Sequence, residues 1–499
     1  MAALVKQLLK ANRTSHAFYS TNVALTTSRY PGLKRKEFGV VVDKDVKFFE
    51  NIVGAPNVIR SDLDGYNTDW LRTVRGESET VLRPGCVEEV SALVKYCYER
   101  NLAICPQGGN TGLVGGSVPV FDEVILSTER LNKIKSIDPT AGILQCEAGC
   151  VLETLDEELS KHDLMMPLDL GAKGSCHIGG NLSTNAGGIR LLRYGSLHGN
   201  TLGLEVVLAN GEILDNMNPL IKDNTGYDLK HLFIGAEGTL GLITAATIKC
   251  PTRPSSINAA MIGVEKFETC LKVLSLTKKY VGEILSGFEF MDLATRQVVC
   301  DNLGLSYPLA EFPYYLLIET SGSDEEHDKA KLDTLLEHLM GNELIADGTV
   351  ARDVTQRKHM WTLRETAAEA LLHDGYCYKY DISLPQPVWY DLVREMRTRI
   401  EGSAALRCIG YGHLGDGNLH LNITSAEYDQ HVMDLIEPFL YDWTSAHNGS
   451  ISAEHGLGFK KKQYIYHSKS KEMVNLMKVL KQTLDPKGIL NPYKYLPEG

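Results

Sequence analysis

The stretch Ile104-Cys-Pro-Gln-Gly-Gly-Asn-Thr-Gly-Leu-Val-Gly-Gly-Ser117 places five glycines within nine residues. It follows an apolar run, residues 102–105, that predicts a short strand. Glycine permits positive φ and close approach of the backbone, so successive N–H groups can form a nest around an anion. The spacing matches neither the Walker loop nor the G-x-G-x-x-G dinucleotide motif. By itself the stretch is therefore either an anion-binding loop of another kind or a flexible surface loop.

A second glycine segment favours the anion-binding interpretation. Gly171-Ala-Lys-Gly-Ser-Cys-His-Ile-Gly-Gly-Asn-Leu-Ser-Thr-Asn-Ala-Gly-Gly188 contains six glycines. Its Ser175, Thr184 and Asn185 add side-chain hydrogen-bond donors. Two such backbones facing each other can hold a pyrophosphate without a lysine or an arginine.

With these two segments the chain resembles the vanillyl-alcohol-oxidase-type FAD proteins, and within them the D-2-hydroxyacid dehydrogenases. The likeness runs from about Val81 to the C-terminus. It implies an α+β fold, with a two-part N-terminal FAD-binding domain and a C-terminal substrate (cap) domain whose antiparallel sheet is covered by helices. Relatives with a covalent flavin often carry histidine where Asn110 stands, so the FAD is expected to be non-covalent. The residues expected to contact FAD are Pro106, Gly108, Gly109, Asn110, Thr111, Gly112, Gly115, Gly116, Ser117, Pro167, Gly171, Ser175, Gly179, Gly180, Thr184, Asn185, Gly188, Ile243 and Asn491.

Composition narrows the class of partner. The 499 residues are 43% hydrophobic and 23% charged, which is ordinary for a globular protein. A net charge of −12 argues against a nucleic-acid partner. No apolar run reaches the ~18 residues of a membrane span. The same net charge repels an acidic substrate, so local cations would have to bind it. Eleven scattered cysteines without a C-x-x-C pair indicate a reduced compartment.

The chain divides into five predicted parts. Its first residues are basic, rich in Ser and Thr, and contain no acid before Glu37. That composition is typical of a mitochondrial transit peptide and predicts the matrix as the location, with a disordered basic tail as the alternative. The predicted parts are a transit peptide (1–36), a leader packing on the FAD domain (37–75), the FAD-binding domain (76–254), the substrate and metal-binding domain (255–470), and a C-terminal segment returning to the flavin (471–499).

A hairpin in the second region brings two histidines together. Asp416-Gly417 is a favoured two-residue turn. Directly opposed residues have Cβ atoms ~4.5–5.5 Å apart, so two opposed imidazoles can share Zn²⁺ or a similar divalent ion. Glu454, in a glycine-flanked Glu-His pair, can supply a third ligand. The alternative is a pair of ordinary hydrogen-bonded strand histidines. The pairs expected from this turn are Gly415 with Asn418, Leu414 with Leu419, and His413 with His420.

The resemblance assigns the remaining roles. His413, His420 and Glu454 match the family's metal ligands, and His455 matches its catalytic base. Arg364 and Lys379 match substrate cations, with Asn422 as an additional donor. Lys379 is the more specific indication of the substrate, because a second cation suits a dicarboxylate better than lactate. The alternative is an exposed lysine whose aliphatic stem lies on apolar surface. The chain departs from the family at Ala368, where a threonine hydroxyl is expected, although Thr366 is nearby.

The function expected from this resemblance is FAD-dependent oxidation of a D-2-hydroxy acid, with D-2-hydroxyglutarate as the preferred substrate and the 2-oxo acid as product. His455 would take the hydroxyl proton, the metal would lower the alcohol's pKa, and hydride would pass to flavin N5. No nicotinamide site is recognisable, so a protein or a quinone is the expected electron acceptor. For a mitochondrial matrix enzyme, the resemblance implies electron-transfer flavoprotein. Two alternatives stay open: a D-lactate or other D-2-hydroxy acid dehydrogenase, and a flavin-dependent alkyl transferase of ether-lipid synthesis.

Overall fold

The computed structural model describes residues 23–498, and its strands form three sheets of four, five and seven strands. The two smaller sheets lie in the N-terminal part of the chain and the largest in the C-terminal part. This arrangement confirms the predicted architecture of a two-part N-terminal domain followed by a domain with an antiparallel sheet.

The first lobe contains the four-stranded sheet. Its elements are α1 (Thr26–Arg29), α2 (Asp43–Val53), a 3-10 turn (Ala55–Asn57), β1 (Val58–Ile59), α3 (Asp64–Asn67), β2 (Val81–Leu82), α4 (Val87–Arg100), β3 (Ile104–Gln107) and β4 (Val124–Ser127). The strand order is β1-β2-β4-β3, with β4 parallel to both of its neighbours. Helix α4 forms because its buried residues, Val90, Leu93, Val94 and Cys97, recur at helical spacing.

The second lobe contains the five-stranded antiparallel sheet, ordered β5-β6-β9-β7-β8. Its elements are β5 (Ile134–Asp138), β6 (Ile143–Glu147), α5 (Leu152–Ser160), α6 (Ile178–Thr184), α7 (Leu191–Tyr194), α8 (Leu197–Asn200), β7 (Thr201–Val207), β8 (Ile213–Asn216), α9 (Lys230–Phe233) and β9 (Leu242–Lys249). Four cysteines lie in its core as free thiols, as expected of small buried hydrophobes: Cys146, Cys150, Cys176 and Cys250.

The C-terminal part is built on the seven-stranded antiparallel sheet, ordered β13-β10-β12-β11-β15-β16-β14. Its elements are β10 (Ser256–Val264), α10 (Phe267–Val281), β11 (Leu285–Asp292), α11 (Leu293–Leu303), β12 (Tyr314–Gly322), α12 (Glu325–Gly341), β13 (Asp347–Val350), α13 (Val354–Glu365), α14 (Ala367–Ala370), 3-10 turns (Leu371–Asp374, Gln386–Val388), β14 (Tyr376–Ser383), α15 (Asp391–Ile400), β15 (Ala405–His413), β16 (Asn418–Ser425), α16 (Gln430–Ile436), α17 (Phe439–Ala446), a 3-10 segment (Lys462–His467) and α18 (Lys471–Leu484).

Polar and apolar side chains alternate along β14 and β16, so the large sheet has a polar face and an apolar face here. Lys379 pairs with Asn422 and Asp381 pairs with His420 across these strands, so these four polar residues share one face. The intervening apolar residues point the other way, into the main hydrophobic core: Tyr380, Ile382, Leu419 and Leu421. Burial of the apolar set therefore fixes which face the polar set must occupy.

The predicted register of the histidine hairpin is wrong. His413 pairs with Asn418, and Tyr411 rather than His413 pairs with His420. The loop has four residues instead of two, since the N–H groups of both Asp416 and Gly417 donate to the carbonyl of His413. The error shifts the pairing by two residues, and an even shift leaves every side chain on its face. His413 and His420 are thus diagonal neighbours on one face rather than direct partners.

The two ends of the described chain pack on the first lobe. Residues 1–22 of the predicted transit peptide lie outside the described residues. From Val23 onward the chain is packed: Thr26 is buried and hydrogen-bonds to Arg75, and Arg35 forms an ion pair with Asp122 at 2.6 Å. Residues 23–36, which the sequence assigns to the predicted transit peptide, therefore include residues packed on the first lobe. At the other end, Asn491 donates its backbone N–H to Ile104, beside the first glycine segment.

Candidate active site

The two glycine segments contact each other, as the sequence predicts for a shared binding site. A Cβ at Gly109 would lie 2.0 Å from the carbonyl oxygen of Ser175, and one at Gly108 would lie 3.4 Å from the Cβ of His177. Only glycine permits this approach at Gly109, because any side chain would overlap the facing backbone. The contact sets the two backbones side by side.

The first segment presents unused backbone donors. No N–H from Gly109 to Ser117 donates to another group among residues 23–498. Gly112 has only the Ser117 hydroxyl 4.0 Å from its Cβ position, and Gly180, on the second segment, has nothing within 4 Å. Free amides beside open space are what a pyrophosphate requires. The residues present therefore fit the diphosphate of FAD.

Two of the predicted side-chain donors have local contacts in the structure. The Thr184 hydroxyl donates within α6 to Gly180, and the Ser175 hydroxyl points 3.5 Å from the Ala172 carbonyl. Asn110 donates to the carbonyls of Gly65 and Thr68 and accepts from the Ser117 hydroxyl, so it shapes the loop.

The other predicted cofactor residues occupy varied positions. Pro106 lies within β3 and contacts Gly238. Pro167 and Ile243 are buried, Gly171 has open space at its Cβ position, and Asn185 adopts positive φ. Asn491 has all its side-chain groups engaged, donating to Gly116 and Glu237 and accepting from Lys494 at 2.6 Å. Asn491 thereby links Gly116, in the first glycine segment, to the C-terminal end of the chain.

A buried carboxylate of the second lobe, Glu237, binds the segment that follows His455 in the C-terminal part of the chain. Glu237 accepts the backbone N–H groups of Leu457 at 2.7 Å and Gly458 at 2.8 Å. Burial raises the pKa of Glu237 to about 7. These bonds hold Leu457 and Gly458 against the second lobe.

The three predicted metal ligands converge. Donor atoms of His413, His420 and Glu454 all lie within 4.8 Å of one another, and His413 Nε2 is 3.6 Å from Glu454 Oε1. Two imidazoles and a carboxylate at this separation match the donor set and span of a Zn²⁺ site that keeps a position open. Glu454 Oε1 also accepts the N–H of Gly188 at 2.8 Å, which ties the cluster to the second glycine segment.

Buried charge around the cluster sets the histidine states. His413 Nδ1 lies 2.7 Å from Glu289 Oε1. Burial lowers the pKa of His413, but the Glu289 carboxylate outweighs it and raises that pKa to about 9. Burial and the neighbouring His413 hold the pKa of His420 well below its usual value. His420 is therefore neutral, and a metal at His413 must displace a proton.

Arg364 is a buried cation beside this cluster. Its Nε is 2.8 Å from Glu289 Oε2, although the two are not aligned as a hydrogen bond, and its guanidinium lies 4.8 Å from the Tyr411 ring centroid. The Tyr411 hydroxyl accepts a 3.0 Å hydrogen bond from Asn422 Nδ2. Glu289 and Tyr411 thus fix the guanidinium in place while its terminal nitrogens stay available for a carboxylate.

Lys379 lies on the same face with a weak partner. Its Nζ is 3.5 Å from the carbonyl of Ala368, and no carboxylate of residues 23–498 approaches it within 4 Å. The hydroxyl of Thr366 donates to the Thr362 carbonyl at 2.7 Å, so it does not replace the donor missing at Ala368.

His455 faces a buried carboxylate that the sequence analysis did not single out. Its Nδ1 is 3.6 Å from Asp381 Oδ2, and its ring stacks at 6.2 Å on that of His420. Burial would raise the pKa of Asp381, but His455 and Lys461 lower it below the ordinary value. Glu289 and Asp381 were detectable, because each is an acid between two apolar residues of a strand, and a buried charge needs a partner.

Comparisons with known proteins agree with this geometry. Residues 78–216 match the family described as FAD binding domain, and residues 253–495 match FAD linked oxidases, C-terminal domain. The mitochondrial D-2-hydroxyglutarate dehydrogenase of Danio rerio is 56% identical over 93% of this chain and 87% of that protein. The D-2-hydroxyglutarate–pyruvate transhydrogenase of Saccharomyces cerevisiae is 44% identical over 95% of this chain and 98% of its own length. The solved structure of an alkyldihydroxyacetonephosphate synthase shares the fold, with a TM-score of 0.71 and 18% identity, covering 92% of this chain and 86% of that one.

Proposed function

This chain belongs to the FAD-linked oxidase family that includes the mitochondrial D-2-hydroxyglutarate dehydrogenases, and on that premise we propose that it oxidises D-2-hydroxyglutarate to 2-oxoglutarate. It is an FAD-dependent hydroxyacid dehydrogenase. The finer proposal is a divalent-metal-assisted reaction in which His455 is the base and Arg364, Lys379 and Asn422 bind the substrate.

The observation that carries the choice of substrate is the polar face of the large sheet. Its strands carry His413, His420 and Lys379, and Glu454 from the segment 452–458 and Arg364 from α13 lie beside them. Lys379 is partly buried, and its nearest polar contact is the carbonyl of Ala368 at 3.5 Å, so its charge is available to a substrate carboxylate. A 2-hydroxy dicarboxylate offers one acidic group for each cation and a hydroxyl for the cluster. Lactate would leave one cation unused.

The side chains divide the chemistry between them. His455 Nδ1 faces Asp381, so its Nε2 is the nitrogen free to take the hydroxyl proton as the C2–O bond becomes a carbonyl. Bound FAD would supply the acceptor for the C2 hydride at flavin N5. A divalent ion held by the cluster would supply a Lewis acid that lowers the pKa of the alcohol. Arg364 and Asn422 hold the substrate in one orientation, which Glu289 and Tyr411 reinforce.

Anaerobic flavin reduction tests this proposal directly. The holoprotein is mixed with D-2-hydroxyglutarate, D-lactate, D-malate and the L isomers, and the loss of flavin absorbance is followed. We expect D-2-hydroxyglutarate to bleach the flavin with the highest kcat/KM. A preference for lactate would favour the monocarboxylate alternative. Absence of bleaching by every hydroxy acid would leave the alkyl transferase as the better assignment.

Lys379→Met should separate dicarboxylate from monocarboxylate substrates. Methionine keeps an apolar stem but removes the charge. A hydrogen bond to a charged group contributes roughly 1.5–3 kcal/mol. At ~1.4 kcal/mol per tenfold, this predicts a loss of about one to two decades in kcat/KM for 2-hydroxyglutarate. Lactate turnover, which needs no distal contact, should change far less.

Lys358→Met is the matched control, since it removes the same charge from an exposed site on α13 outside the cluster. It should leave the substrate ratio unchanged. If Lys379→Met lowers kcat/KM for lactate and 2-hydroxyglutarate by one common factor, Lys379 serves the shared C1 carboxylate or the fold.

The flavin should be held without a covalent bond, because Asn110 stands where covalent relatives often carry histidine. The Asn110 side chain is hydrogen-bonded to Gly65 and Ser117. Acid precipitation should therefore release yellow flavin into the supernatant. Colour that stays in a washed pellet would contradict the proposal.

The electron acceptor has two candidates. We propose electron-transfer flavoprotein in the mitochondrial matrix, in line with the mitochondrial relatives. The yeast relative named as a pyruvate transhydrogenase favours a second candidate, reoxidation by a 2-oxo acid. Stopped-flow reoxidation of the reduced enzyme by each acceptor decides between them. No helix among residues 23–498 is both long and apolar enough to cross a membrane.

A further inference from the structure

Asp381 is the most heavily engaged carboxylate near the candidate site. It lies on β14, is fully buried, and faces the side of the sheet that carries His420 and Asn422. A buried charge persists only where its surroundings satisfy it. The hydrogen-bond donors to Asp381 therefore show which parts of the chain it positions.

One oxygen of Asp381 collects three consecutive backbone donors. Its Oδ2 accepts the N–H groups of Ala453 at 3.2 Å, Glu454 at 2.9 Å and His455 at 3.0 Å. These are the backbones of the third proposed metal ligand and of the proposed base. The segment 452–458 is neither helical nor extended, and its Gly456 and Gly458 have positive φ. The hydrogen bonds to Asp381 therefore help to fix the backbone conformation of this segment.

The other oxygen completes the arrangement. Asp381 Oδ1 accepts a hydrogen bond from Asn418 Nδ2 at 2.9 Å and lies 3.8 Å from Nδ1 of His420. Nδ1 of His455 is 3.6 Å from Oδ2. These two distances are longer than hydrogen bonds, but they put negative charge beside the same nitrogen of both rings. That favours a proton on Nδ1 in each ring and leaves each Nε2 free.

We propose that Asp381 is a positioning residue that aligns Glu454 and His455 through their backbone amides and orients the rings of His420 and His455. This inference rests on the proposed function, because it gives those residues their ligand and base roles. Asp381 is proposed to contact neither the substrate nor the cofactor. It acts by setting where the Glu454 ligand and the His455 base stand relative to the two metal-binding histidines.

Asp381→Asn tests the inference with little change in volume. One carboxylate oxygen becomes an NH₂ group, so Asn418 and the three amides can no longer all find an acceptor. Outer carboxylates behind metal ligands typically contribute about 10–100-fold to metal affinity or activity. We expect Zn²⁺ and Co²⁺ affinity to fall by about that factor, with an altered visible spectrum of the Co²⁺ form. The pH profile of flavin reduction should also shift.

Asp292→Asn is the matched control. Asp292 is a buried carboxylate of the same sheet that accepts from Tyr390, Arg397 and the N–H of Gly410, none of which belongs to the cluster. It should lower Tm while keeping wild-type metal affinity and pH profile. If Asp381→Asn gives no soluble protein, Asp381→Glu, which keeps the charge but moves it by one methylene, is judged by the same measurements.

Wild-type metal affinity and pH profile in the Asp381 variant, with only Tm lowered, would overturn the inference and make Asp381 a structural carboxylate like Asp292. Failure of the proposed function is a separate result. It would appear as wild-type protein that binds metal but is not reduced by any 2-hydroxy acid.

Discussion

We expect replacement of His455 by alanine to slow flavin reduction by D-2-hydroxyglutarate about 10²–10⁴-fold, the range typical for loss of a general base. The physical reason is that the two other histidines of the cluster have other partners or another role. His413 is engaged with Glu289 on Nδ1 and faces Glu454 with Nε2, and His420 is assigned to the metal. The measurement is single-turnover flavin bleaching under anaerobic conditions.

Metal content separates this role from a ligand role. His455→Ala should keep the bound metal, because the proposed ligands are His413, His420 and Glu454. A metal held instead by Asp381, Glu454 and His455, whose donor atoms also lie within 4.8 Å of one another, would be lost in this variant. His447→Ala is the control histidine, since His447 stacks on Trp443 away from the cluster and should behave as wild type. Metal loss in His455→Ala equal to that in His413→Ala would mean that the roles of the two histidines are misassigned.

Removal of the metal should abolish turnover while most of the FAD remains bound. The proposed ligands all lie on the C-terminal part of the chain, whereas the proposed diphosphate site lies on the backbone of the N-terminal lobes. The test is chelation followed by dialysis, with metal, flavin and activity measured on the same sample. Adding back Zn²⁺, Mn²⁺ or Co²⁺ should restore activity. Metal uptake should release a proton, because Glu289 raises the pKa of His413 to about 9.

Two variants define where the metal binds. His413→Ala should lose both the metal and the activity. His198→Ala should keep both, although His198 and His231 form an exposed pair with Nδ1 atoms 2.8 Å apart that could bind metal adventitiously. Full activity in thoroughly demetallated protein would make the cluster of His413, His420 and Glu454 structural.

Several features of this protein follow from the sequence alone. The density of glycine in the two segments indicates a backbone-lined anion site, because no other residue allows the 2.0 Å approach at Gly109. The alternation in residues 376–383 and 418–425 assigns Lys379, His420 and Asn422 to one face, since apolar neighbours must be buried on the other. Even the wrong hairpin register kept that face, because the error was an even number of residues.

Tertiary structure alone decided which groups support the site. Glu289 meets His413 across 124 residues, Asp381 meets His455 across 74, and Glu237 meets Leu457 across 220. The sequence marks these acids as unusual but does not name their partners. Side-chain period and turn preference act over a few residues, whereas these pairings depend on how whole sheets and lobes pack. The length of the hairpin loop is likewise set by burial of Leu414 and by the bonds of Asn418 to β14, which local turn preference does not include.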